Sequence, residues 1–138
     1  MKIEEVPQDY TGILVEGKVR DLCYAVDEDG TYKTKYSVGW NPKNEAMFQA
    51  WDKIKEDTEI VRKSVLNKID SPIHFYMHKH LMDVATLAQH VGMWSWKVKR
   101  HLKYRNFITL SDSKLSKYAE VFNLTVEELK DISLLENQ

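Results

Sequence analysis

The sequence predicts an α+β fold that is mostly α, with a β-hairpin and a long helix over residues 1–70 and five short helices over residues 71–138. Three observations lead there. Strand-like alternation flanks the pair Asp29-Gly30, and apolar residues then recur every three or four positions from Met47 to Val65. After Asp70-Ser71-Pro72 the helical pattern comes only in short pieces. The 138 residues, 43% hydrophobic and 30% charged, suffice to bury a core and do not have a disordered composition.

From Ile13 the chain reads as extended. In "RDLCYAVDEDGTYKTKYSVGW" Leu22, Tyr24 and Val26 alternate on one side, and Tyr32, Thr34, Tyr36 and Val38 do so after the turn, with Lys33 and Lys35 opposite. Asp29-Gly30 supplies the positive-φ positions of a tight turn. In the long helix that follows, Asn41 can cap and Pro42 suits the first turn. Its apolar face runs through Met47, Ala50 and Trp51, Ile54, Thr58, Val61 and Val65. The break at Asp70-Ser71-Pro72 puts the domain boundary after residue 70. Beyond it, Asp83 can cap one helix and Ser111 or Asp112 another, while Thr125 and Glu128 form a capping box.

Charge is distributed unevenly. Residues 1–70 carry 11 Lys and Arg against 14 Asp and Glu, a balance of −3. Residues 71–110 carry 6 against 1, or +5, together with all five histidines, and residues 111–138 carry 3 against 6, or −3. A basic centre between acidic flanks implies one localised anionic partner. The acidic start "MKIEEVPQDY" fits no secretory signal, no run reaches membrane-span length, and the single Cys23 fits a reducing compartment, so a cytoplasmic location is expected. Asp27 and Asp29 are spaced as two calcium ligands, but the later ligands and closing glutamate are missing. His74 and His78 lie one turn apart, with His80 near, yet nothing completes a zinc site. No nucleophile elbow or glycine-rich phosphate loop occurs, so neither enzymatic activity nor a cofactor is expected.

Leu87-Ala88, then Gly92-Met93, then Val98, followed by "LSDSKLSKYAEVFNLTVEELKDI", make a pattern over residues 73–132 that resembles the Cro/repressor-type (Xre-like, lambda-repressor-like) helix-turn-helix family. Each position has a physical reason. Ala88 is small where two helices cross, Gly92 can adopt a left-handed turn, and Leu87, Val91 and Val98 fill the space between. Leu115, Tyr118, Ala119, Phe122 and Leu124 supply further core, closed by Val126 and Leu129. Val84 and Ala85 stand where many relatives have a phosphate-binding glutamine, leaving Thr86 or backbone amides to anchor. Trp94 occupies the usual capping place and Ser95 follows one residue late, so the recognition helix is expected to start late.

The resemblance implies sequence-specific binding of double-stranded DNA, as a transcriptional regulator and a homodimer on a two-fold operator. The helix around residues 95–103 would enter the major groove. On it Trp96, Lys99, Arg100 and Lys103 fall at i, i+3, i+4 and i+7, with Lys97 beside them. Arg100 suits a guanine edge, Lys97, Lys99 and Lys103 suit phosphate or base edges, and Ser95 and Thr86 can donate to phosphate. Trp96 is expected against the DNA, and Trp94, four residues before Val98, in the core. Residues 1–70 are expected to dimerise or dock a partner protein. The alternatives are an antitoxin whose extra domain neutralises a toxin, and a protein-interaction module that has lost DNA.

Overall fold

The computed structural model describes residues 1–8 and 20–136, apart from the side chain of Asn41. The extended segment expected from Ile13 lies outside them, except for its end at Arg20, and so does the Asn41 cap. Two compact units emerge, Met1–Lys53 and Ile54–Gln138. They divide within the long helix, seventeen residues before the break at residue 70.

In the first unit, β1 (Asp21–Val26) and β2 (Tyr32–Ser37) pair antiparallel, with Leu22 opposite Tyr36 and Ala25 opposite Lys33. The turn closes through Gly30 N–H to the Asp27 carbonyl, and only Gly30 takes a positive φ, 73°. Asp27 accepts from Lys33 Nζ and from the Glu28 amide, which hold its carboxyl below the usual range against slight desolvation. The hairpin's faces are the reverse of what alternation suggests. Tyr24, Tyr32 and Tyr36 are exposed, whereas Ala25 and Ser37 are buried. The N-terminal residues account for this. Lys35 Nζ donates to the Ile3 carbonyl, Ser37 Oγ to the Pro7 carbonyl, and Val6 is buried. Small side chains on that face let a backbone approach, and tyrosine rings could not.

The helix α1 spans Asn41–Leu66, with Pro42 in its first turn as expected. Its apolar face is buried only toward its C-terminal end. Trp51 is exposed, Ile54 and Thr58 are half-buried, and Val61 and Val65 are buried in the core of the second unit. Arg62 reinforces that attachment by donating to the Leu135 carbonyl at 2.8 Å.

The second unit continues with α2 (Pro72–Lys79), α3 (Val84–Val91), α4 (Ser95–His101), α5 (Tyr104–Phe107), α6 (Asp112–Phe122) and α7 (Val126–Lys130). That is one helix more than the five expected, the extra being the single turn α5. Ile73, Leu87, Val98, Leu115, Tyr118 and Leu129 are no more than 1% exposed and come from five of these helices. Contacts at this density make a side-chain truncation costly. Two of the predicted caps form, on α3 and α7. Asp83 accepts from the Thr86 amide at 2.7 Å, and Thr125 and Glu128 complete their box. Ser111 is the N-cap of α6 by position but makes no side-chain cap bond.

No described helix is long and apolar enough to cross a membrane.

Candidate nucleic-acid interface

The candidate interface is built by α3, the turn after it, α4 and the start of α6. Leu87, Ala88 and Val91 bury the inner side of α3, and Gly92 ends it in the left-handed conformation at φ 65°, ψ 38°. Only Val98 of α4 is fully buried and His101 is half-buried, so Trp96, Lys97, Lys99 and Arg100 face outward. Asp83 accepts from both the amide and the side chain of Thr86, interactions that lower its carboxyl pKa. Thr86, expected on phosphate, is thereby engaged in a cap beside a carboxylate.

Helix α4 begins at Ser95, with Trp94 at the N-cap in extended conformation and no side-chain cap bond. The expected late start does not occur. Nor does Trp94 lie in the core, since it is 73% exposed. Its backbone precedes the first helical turn, so four-residue spacing from Val98 does not turn its side chain inward. Met93 takes the inner place instead. It packs against the core, and Tyr118 Oη lies 3.8 Å from its sulfur. Trp96 is outward as expected, 57% exposed, with Lys97 Nζ 5.5 Å from its ring centroid.

The expected four-residue stripe ends early. After His101 the chain leaves the helix, and Lys103 adopts φ −90°, ψ 132° as N-cap of α5. Residues 69–71 draw it out. Ser71 N–H donates to the Leu102 carbonyl at 2.8 Å, Tyr104 N–H to the Ile69 carbonyl, and Ser71 Oγ to the His101 carbonyl. Lys103 Nζ lies 2.7 Å from Asp70 Oδ1. Burial opposes ionisation of Asp70, but hydrogen bonds from Lys103 and Ser64 outweigh it and hold the carboxyl below its ordinary range. His74 Nδ1 lies 3.2 Å from Asp70 Oδ2, yet burial keeps its pKa depressed. Lys103 is therefore committed to a structural ion pair.

Trp96, Lys97 and Arg100 turn toward α6 and line a groove of about 560 Å³ with Trp94, Lys114 and Lys117. Ser95 lies beside the turn, and Lys99 is exposed outside the groove. Neither Lys114 nor Lys117 was expected. Their three-residue spacing puts them on one helix face, but the acidic balance of residues 111–138 conceals it. Among the described residues no carboxylate pairs with Lys97, Arg100, Lys114 or Lys117. His101 sits among these cations. Burial first, then the charges of Lys114, Arg100 and Lys97, depress its pKa, while its Nδ1 lies 2.8 Å from Tyr118 Oη. Burial also raises the Tyr118 hydroxyl pKa, so that group stays protonated.

Compared with known proteins, the chain matches no family model, no curated protein and no solved structure.

Proposed function

We propose that the unit Ile54–Gln138 is a Cro/repressor-like domain that binds double-stranded DNA, with α4 as the helix entering the major groove. One observation carries this reading. Helix α3, the left-handed turn at Gly92 and α4 form a helix-turn-helix whose inner side is apolar and whose outer side presents Trp96, Lys97, Lys99 and Arg100, with no carboxylate partners among the described residues. Arg100 is suited to a guanine edge and Lys99 to phosphate. Thr86 and Lys103, tied to Asp83 and Asp70, are left out of the contact set. The test is selection of duplexes from a random library by the purified protein, followed by anisotropy titrations across salt. Affinity should fall steeply as salt rises. Lys99→Ala should weaken all sequences alike, and Arg100→Ala should cost about 1–3 kcal/mol and relax one base position. A flat salt response would overturn the reading.

Dimerisation belongs to the same proposal. Leu22, Tyr24, Tyr32 and Tyr36 stand exposed on one face of the hairpin, an apolar surface suited to a second copy of the chain. Light scattering of the full chain and of Leu22→Glu/Tyr36→Glu tests it, with a dimer expected only for the former. A monomeric mass for both would exclude this face as the dimer contact.

A further inference from the structure

We propose that the groove between α4 and α6 is a binding site for a nucleoside phosphate with an unstacked base, either free or as an unpaired nucleotide of a strand. The groove shares Trp96, Lys97 and Arg100 with the surface of α4 invoked for duplex DNA, but the proposal stands on the groove's own lining and does not rest on that reading.

The groove's charge selects an anion. Lys97 and Arg100 come from α4, and Lys114 and Lys117 from the first turns of α6, with no acidic side chain among the lining residues. His101 also lines the groove, where burial first and then the charges of Lys114, Arg100 and Lys97 disfavour its protonation. With Nδ1 against Tyr118 Oη, the other ring nitrogen of His101 is left for a ligand.

Size and aromatic content narrow the class. A groove of about 560 Å³ is in the range of small-molecule sites and too large for a phosphate group to fill. At its mouth stand Trp94 and Trp96, exposed by 73% and 57%. Two indoles beside four cations match the chemistry of base stacking joined to phosphate neutralisation. Asn106 adds selectivity. Its side-chain amide nitrogen donates to the Arg100 carbonyl at 2.8 Å, and its Oδ1 remains as an acceptor for an exocyclic amine. A paired base inside a duplex is stacked on both faces and cannot meet an indole, whereas a free or extruded one can.

The experiment uses the full chain and follows tryptophan fluorescence and titration heat with adenosine 5′-monophosphate, adenosine, inorganic phosphate, an oligoglutamate peptide, an unstructured single strand and a blunt duplex. Saturable quenching by the monophosphate identifies a free nucleotide as the ligand. Saturation by the single strand alone identifies an unpaired nucleotide of a strand, and either result supports the site. Lys114→Gln/Lys117→Gln, a surface change that circular dichroism can verify as folded, should weaken binding about tenfold. Trp94→Ala/Trp96→Ala, read by heat, should weaken it about tenfold as well. Lys63→Gln, on the exposed side of α1 and outside the groove, should leave it unchanged. The assignment is overturned if neither the monophosphate nor the single strand saturates, if inorganic phosphate or oligoglutamate binds equally well, or if the Lys114/Lys117 variant binds as the unaltered chain does. Nucleotide binding without duplex binding would refute the major-groove reading and leave the groove assignment standing. Duplex binding without nucleotide binding would refute the groove assignment alone.

Discussion

Trp94 and Met93 exchange the roles that their side chains suggest. A tryptophan before a helix invites burial on grounds of size, yet the N-cap position puts its indole in solvent while the smaller thioether closes the core. Trp94→Ala should therefore shift the melting temperature little, whereas Met93→Ala should destabilise by about 2 kcal/mol. Thermal denaturation of both variants by circular dichroism checks the pair, and a reversed order would place the indole in the core. Gly92 supplies a second test. A Cβ there would meet nothing within 4 Å, so Gly92→Ala isolates the left-handed backbone from any clash. It should cost about 1 kcal/mol. The glycine, the small Ala88 and the buried Val98 were all legible in the sequence because each meets a local steric demand. Trp94 was not, because its environment depends on where the helix begins, which a one-residue difference in capping decides. The commitment of Lys103 was also hidden, since Asp70 lies 33 residues away along the chain.

The hairpin shows the same limit for an element. Alternation correctly indicated two strands and the turn at Gly30, but period two defines two faces without saying which one is covered. The answer came from residues 1–8, a stretch with almost no pattern of its own, whose carbonyls are held by Lys35 and Ser37. Ala25 is fully buried, so a larger side chain there must displace its neighbours. Ala25→Leu should destabilise the first unit by about 1–3 kcal/mol, while Tyr24→Ser on the exposed face should change it little. Denaturation followed by circular dichroism separates the two, and equal effects would mean that both faces are packed. Helix ends were more legible than strand faces. The Thr125 and Glu128 box depends on residues three apart, and Thr125→Ala should cost about 1 kcal/mol in the melting of the second unit.

The whole chain divides where its sequence is most continuous, inside a helix without a glycine or proline between residues 43 and 66. A fragment of residues 54–138 keeps Val61, Val65 and Asp70, while one of residues 71–138 loses all three. Burying each valine contributes about 1.5–3 kcal/mol, so the shorter fragment should melt far earlier or not cooperatively. Equal melting would mean that α1 adds nothing to the core. Acid should weaken the intact protein. Burial depresses the pKa of His74 and of His101 below the ordinary 6.5, so the unfolded chain takes up protons first. Stability is full above 6.5 and declines as pH falls through that value toward the lower folded values. Urea midpoints should accordingly be lower at about pH 5.5 than at about pH 7.5. His101→Gln should lessen the difference, and an unchanged midpoint would show that neither ring resists protonation.

The pairing of residues 69–71 with residues 102–104 has a kinetic consequence. Its two amides, on Ser71 and Tyr104, lie where two chain segments meet, and each bonds to a carbonyl more than 30 residues distant. Opening either one means separating α2 from the end of α4, so their deuterium uptake should be as slow as that of the interior of α6. Exposed positions such as Asp29 should exchange at once. In such an experiment this crossing, without a regular strand or a full helix turn, would behave as part of the last structure to open.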